Sequence, residues 1–280
     1  IVVFVATRPS PPPGNPNPKP ETRNEKPKDL APAKSSLNPH RIVVLPLDNF
    51  SPDAKDEYLA SGMTEELTSS LSKISGLEVI ARTSAERAKK SGKTVPEIGA
   101  ELRAGTLLEG SVRKAGDQLR VTVQLIDVAT QRHLLTQDHN AEFKDLFKTQ
   151  AEIAERVATA LQIKLLGSDV RRLSTQPTAN PEAYQLYLQG RYHWMKWTEE
   201  GTLKARELFK QALAIDPNYA LAYVGLADAW DPKLPPRLAR AEVEAAARRA
   251  LELDDTLAEA HLANAAIGFA CGWNSAAAEA

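Results

Sequence analysis

The stretch Gly105–Val128, GTLLEGSVRKAGDQLRVTVQLIDV, decides how the first half of the chain folds. Two runs rich in aliphatic and β-branched residues flank Ala115-Gly116-Asp117. A short Gly-containing break between such runs predicts a β-hairpin. In the second run Leu119, Val121, Val123 and Leu125 alternate with Arg120, Thr122 and Gln124. A period of two places the aliphatic set on one face of a sheet and the polar set on the other, so one face is buried and the other wet. RHLLTQDH, after a turn at Ala129-Thr130-Gln131, adds a third strand.

Upstream, RIVVLPLDNF holds the continuous apolar run Ile42–Leu45, the signature of a strand covered on both faces. In DEYLASGMTEELTSSLSKI, Leu59, Met63, Leu67, Leu71 and Ile74 recur at three and four, one stripe of an amphipathic helix. GLEVIAR is a short strand. TVPEIGAELRA reads as a helix with Thr94 as N-cap, Pro96 in its first turn, and Ile98 and Leu102 four apart. Downstream, Leu146, Ile153, Val157 and Leu161 mark a long closing helix. The predicted order is β-α-β-α-β-β-β-α, a mixed sheet with helices on one face: an α/β sandwich.

VVLPLDNFSPDAKDEYLASGMTEEL, LEVIARTSA and LLEGSVRKAGDQLRVTVQLIDVATQRHL resemble the TolB amino-terminal-like (FlgO-like) α/β domain through nearly all of residues 42–165. The resemblance implies a module held outside the bacterial inner membrane after one spanning helix. The cytoplasmic partner domain in such proteins is a CadC-like winged helix, an adenylate cyclase or a Ser/Thr kinase. It therefore implies a sensor or docking module rather than an enzyme. RAGTLLEG and the basic AERAKKSGKT depart from the family pattern, both at loops or edges.

The chain opens IVVFVATRPSPPPGNPNPKP. Six mostly apolar residues, Ile1–Ala6, are far fewer than the roughly 20 that cross a bilayer; they fit a buried strand, the tail of a signal peptide or the end of a spanning helix, and the spacer that follows favours the last. Ten of the chain's 19 prolines lie between Pro9 and Pro39 among polar residues, a composition that cannot bury a core and favours an extended spacer. The expected layout is residues 1–7 as helix end, 8–40 as proline-rich linker, 41–167 as the α/β domain, 168–180 as a second linker, and 181–280 as repeats cut short in the third.

Those repeats rest on KARELFKQALAIDPNYALAYVGLADAW and VEAAARRALELDDTLAEAHLANAA, which resemble the tetratricopeptide repeat, a helix pair of about 34 residues. Gly190, Ala205, Phe209, Ala212 and Pro217 match the first repeat. Tyr223, Leu226, Ala227, Trp230, Ala247 and Ala250 match the second, with Asp255 in place of the closing proline. By this resemblance, the concave surface of an all-α array is lined by Tyr184, Tyr187, Arg191 and Trp194, then Leu221, Val224, Asp228 and Asp231. Spacings of three and four hold each set on one helical face. An aromatic surface with one Arg beside an acidic edge suits an internal peptide segment with apolar and basic side chains.

Other chemistry finds little support. The net charge of −1 exerts no pull on nucleic acid or anionic lipid, and the single Cys271 excludes an internal disulfide and a cysteine metal cluster. SGKT at Ser91–Thr94 lacks the preceding Gly of a phosphate loop, Arg87 standing there, and follows a basic helical stretch instead of a strand. His133 and His139 fit no metal spacing and are expected at the surface. Glu65 and Glu66 are read at a helix start, where the dipole favours acids. Trp194 and Trp197 fit either packing at the domain junction or a ligand-facing role. No catalytic residue, cofactor or metal site is expected. The sequence thus predicts a non-catalytic sensing and scaffolding segment in the periplasm, tethered to the inner membrane and binding protein or peptide through its repeats. The alternatives are a free-standing periplasmic or outer-membrane-associated structural protein, and the accessory region of an adenylate cyclase or Ser/Thr kinase with its catalytic domain upstream.

Overall fold

Strand β1 (Arg41–Val44) sends Ile42 and Val44 to one side of the sheet and Val43 to the other, all three buried, and Leu45 just beyond it joins Val43. The computed structural model describes residues 37–230 and 233–272, so the expected helix end and nearly all of the proline-rich spacer lie outside the described residues. After β1 come β2 (Asp48–Asn49), α1 (Glu57–Ser72), β3 (Glu78–Val79), α2 (Arg82–Lys90), α3 (Val95–Leu102), β4 (Thr106–Ala115), β5 (Gln118–Asp127), β6 (His133–Glu142) and α4 (Leu146–Ala160). The sheet order is β3-β1-β4-β5-β6, with β2 added beside β4. β1 runs parallel to both β3 and β4, and β4, β5 and β6 form the antiparallel meander expected from the hairpin. The mixed sheet agrees with the sequence reading, which did not separate the short β2 and α2 as elements.

Helices cover both faces, not one. α1 and α4 pack Leu59, Met63, Leu67, Ile153 and Val157 on the face formed by Ile42, Val44, Leu108, Val121, Val123 and Leu125. α2 and α3 bring Ala85, Ala88 and Ile98 to Val43, Leu45, Leu107 and Ile126 on the opposite face. Chirality explains the split. The β1-α1-β3 crossover steps one way along the sheet and the β3-α2-α3-β4 crossover steps back across β1, so two right-handed crossovers put their helices on opposite faces. On the α2–α3 face of the meander, away from α3, Arg120 and Thr122 both bond the Asp138 carboxylate at 2.7 and 2.6 Å.

Thr94 does cap α3: its backbone N–H and its hydroxyl both donate to the Glu97 carboxylate, at 2.8 and 2.7 Å. Those hydrogen bonds hold the Glu97 carboxyl below its ordinary range. The SGKT stretch is therefore a turn between two helices, with Gly92 at φ +66°.

The stretch expected as a second linker carries α5 (Gly167–Ser174). Asp169, fully buried, accepts from the Leu166 backbone N–H, the Ser75 hydroxyl and Arg172, and this tethers α5 to the end of α1. The helical half follows as α6 (Pro181–Trp194), α7 (Glu199–Ile215), α8 (Ala220–Asp228), α9 (Pro236–Leu253) and α10 (Ala258–Gly272). Among the described residues no helix is long and apolar enough to cross a membrane. Short connections force successive helices antiparallel. Small residues set the spacing: a Cβ on Gly190 or Gly225 would come within 2.5 or 2.7 Å of the Phe209 ring. Arg206 of α7 donates to the Ala229 carbonyl at 2.8 Å and to Glu242 of α9, locking three helices together. Two details differ from the sequence reading. α8 ends at Asp228, which leaves Trp230 outside the helix and 55% exposed. The proline missing at Asp255 is replaced by a turn in which the Asp254 carboxylate accepts from the backbone and hydroxyl of Thr256.

Asn180 begins α6. Its side chain accepts from the N–H groups of Glu182 and Ala183 at 3.0 and 3.1 Å, and Pro181 follows at the first helical position. Asn180→Ala is expected to lower unfolding stability by about 1 kcal/mol in urea titration, and Asn180→Asp to retain most of it.

Candidate functional site

The α/β and helical halves share one hydrophobic core, which runs from the sheet through α1 and α4 into Tyr184, Tyr187, Phe209 and Tyr219. Tyr184 is 1% exposed; its ring lies 4.2 Å from that of Phe147, and its hydroxyl takes a hydrogen bond from Gln150 at 3.1 Å. Tyr187 is 6% exposed and lies 5.2 Å from Tyr219. Burial pushes all three phenols well above their ordinary range.

Around this apolar seam runs a chain of alternating charge. Glu86 bonds Arg82 at 2.8 Å, Arg82 bonds Glu65 at 3.2 Å, Glu65 bonds Arg191 at 2.5 Å, and Arg191 bonds Asp228 at 3.2 Å. The ladder joins α2, α1, α6 and α8. Trp194 completes it: the Arg191 guanidinium sits 4.8 Å from its ring centre, and its indole N–H donates to the Asp228 carbonyl at 3.1 Å. Burial pushes the Asp228 carboxyl up, against the pull of Arg191. On the outer side the Tyr192 hydroxyl donates to Glu57 at 2.5 Å.

Behind the seam lies a cleft of about 520 Å³ between α1 and α4 on one side and α6, α8 and the α9–α10 turn on the other. Glu65 and Glu66, Phe147, Tyr187 and Arg191, and Leu221 and Val224 contribute to its walls. Both glutamates lie in the middle of α1, which begins at Glu57, so they do not occupy the helix start predicted for them. Glu65 belongs to the ladder. Desolvation, then Glu65 beside it, pushes the Glu66 carboxyl up to about 7.

The eight residues predicted to line a concave groove therefore do not form one open surface. Tyr184 is sealed beneath Phe147; Trp194 and Asp228 close the ladder; Tyr187, Arg191, Leu221 and Val224 reach the cleft; and Asp231 lies outside the described residues. The physical reason is that α1 and α4 cover the face of the α6–α7 helix pair. Trp197 is 78% exposed, 5.0 Å from Trp194. His133 is exposed, and His139 stands 3.7 Å from Glu152. Among the described residues no group of three His, Cys, Asp or Glu is placed to hold a metal.

No family model matches the chain. A Rhizobium meliloti (strain 1021) protein named "Putative adenylate cyclase 3" is 32% identical over 244 residues, covering 84% of this chain. The chain spans 40% of that relative's length. Similar solved structures include TolB from Acinetobacter baumannii, at 17% identity and TM-score 0.35, covering 43% of this chain and 28% of that one. They also include the LpoB C-terminal domain from Salmonella enterica, at 16% identity and TM-score 0.32, covering 39% of this chain and 87% of that one.

Proposed function

We propose that this chain is the non-catalytic sensing and scaffolding region of a membrane-anchored signalling protein whose output domain is an adenylate cyclase. The observation that carries the reading is the 32% identity to a cyclase-named protein of which the chain spans only 40%. The remainder of such a protein has ample room for a catalytic domain. Within the chain, the one phosphate-loop-like sequence is a helix-to-helix turn whose Thr94 is engaged with Glu97. The cyclase assignment is favoured over the winged-helix and kinase alternatives because the relative carries that name.

The helix pairs α6–α7 and α8–α9 are read as tetratricopeptide repeats, with α10 opening a third. Gly190, Ala205, Ala212, Ala247 and Ala250 at the helix contacts support this, because small residues let the paired helices approach closely. The α/β half is read as the TolB amino-terminal-like domain, held in the periplasm by a single inner-membrane helix. Its α1 and α4 cap the repeat stack, which couples the two halves mechanically. The protein or peptide partner is assigned to the repeat surface that continues from Leu221 and Val224.

The test uses the full-length protein that contains this chain, expressed in a bacterial strain lacking its own cyclase. Cyclic AMP is expected from the full-length protein and none from the 280-residue chain alone. A phosphatase reporter fused after Ala280 should be active in the periplasm. Cyclic AMP made by the chain alone, or a full-length protein that makes none, overturns the reading; an inactive phosphatase overturns the placement.

A further inference from the structure

We infer that the cleft between α1 and α6 is a binding site for a small amphipathic organic amine, its ammonium held by Glu66 and its alkyl part by Leu221, Val224 and the aromatic wall. The inference deepens the sensing role proposed above, and rests on it only for treating the ligand as a signal.

Volume is the first argument. About 520 Å³ falls within the range of small-molecule sites, and the walls mix apolar side chains with a few polar groups.

The second argument is how the charges are allocated. The cleft is lined by Arg191, Lys73 and Lys148 as well as by carboxylates, so the sign of its ligand depends on which charges are free. Arg191 is engaged with Glu65 and Asp228. Lys148 is 74% exposed and reaches toward Glu152, and Lys73 is exposed at the rim. Solvent screens both lysines. Glu65 is held by two arginines. Glu66 is half-buried and among the described residues makes no hydrogen bond or ion pair.

Glu66 is thus a carboxyl placed in a desolvated cleft with nothing bonded to it. The groups that face it are Glu65 and Lys73 on its own helix, Tyr184, Tyr187 and Arg191 on α6, Lys148 on α4, and Asp254 and Glu259 at the α9–α10 turn. Glu65 adds negative potential at Glu66, Lys73 and Arg191 offset part of it, and Glu259 adds to it, all within a desolvated site. An ammonium entering there gains a charge-assisted hydrogen bond and relieves the cost of ionising Glu66. An anion would meet these carboxylates without a free cation at depth. Leu221, Val224, Tyr187 and Phe147 line the same cleft and supply apolar surface for a short alkyl chain.

The test is calorimetric titration of the 280-residue chain with hexylamine, hexan-1-ol and hexanoate, at about pH 8 and about pH 5.5, on either side of the Glu66 titration. Saturable one-to-one binding of hexylamine is expected at the higher pH, about tenfold or more tighter than hexanol. Most of that preference should disappear at the lower pH, where the amine is still a cation but Glu66 is protonated. Glu66→Gln should abolish the preference at the higher pH while unfolding at or above the wild-type temperature. A capped tripeptide with a central Lys forms a separate arm: binding of hexylamine alone assigns a free amine as ligand, and binding of both assigns an amine that a peptide side chain can also supply. Hexanoate or hexanol binding as tightly as hexylamine, an undiminished preference in folded Glu66→Gln, or no binding of any amine overturns the inference. None of these outcomes bears on whether the full-length protein makes cyclic AMP, so the two readings fail separately.

Discussion

Arg191→Met is expected to destabilise the chain by about 2–3 kcal/mol and to uncouple unfolding of its two halves. Removing one partner of a buried ion pair costs about 3–5 kcal/mol because the other charge is left desolvated and unpaired. The side chains here are 16% exposed for Arg191, 26% for Glu65 and 29% for Asp228, so water takes up part of that cost and the expected value lies below the range. The substitution leaves Asp228 without its cation and Glu65 with Arg82 alone. The tryptophans make the uncoupling measurable. Trp194, Trp197 and Trp230 lie in the helical half and the fourth, Trp273, follows α10 in the sequence, so tryptophan fluorescence follows that half, whereas far-ultraviolet circular dichroism follows both. The two signals should coincide during urea unfolding of the wild type and separate in Arg191→Met. Adding Asp228→Asn should recover part of the loss by removing the stranded charge. A loss below about 0.5 kcal/mol with coincident signals would mean that the ladder is a surface feature with little energetic weight.

Phe209→Ala is expected to cost about 4 kcal/mol. Phe209 is 0% exposed and packs 5.9 Å from the Tyr187 ring. Its other neighbours cannot fill the space it would leave, because Gly190 and Gly225 face it without side chains. The cavity therefore stays open, which is the costly case. Phe209→Leu should lose roughly half as much, since most of the volume is kept. Thermal unfolding of the two variants checks the order; equal losses would show that the ring's shape matters more than its volume.

Much of this architecture was legible in residue spacing. Period two in Leu119–Leu125 located β5 and its buried face, and the turn around Gly116 located the hairpin. The stripe from Leu59 to Leu71 located α1, and Thr94 with Pro96 located the start of α3. Each of these signals is local: a side chain's direction depends on its own backbone and on neighbours a few positions away. The mixed sheet followed from the same patterns. That helices cover both of its faces followed from the order of the strands, because handedness acts on the path between them and no single strand carries that information.

The candidate site was less legible. Periodicity marked Tyr184, Tyr187, Arg191 and Trp194 as one helical face but could not say what covers it, and the residues that do are far away in sequence. Glu65 meets Arg191 across 126 positions, and Gln150 meets Tyr184 across 34. Glu66 looked like an ordinary helix acid beside Glu65. What separates the two is that the adjoining helices give Glu65 two arginines and leave Glu66 against the cleft. The elements and their apolar faces could be read from residue spacing alone, since those depend on local backbone geometry. That α1 closes the face of α6, and which carboxylate is left unpaired, came from the packing of distant segments, because burial and charge pairing depend on distances between residues that the chain's order does not contain.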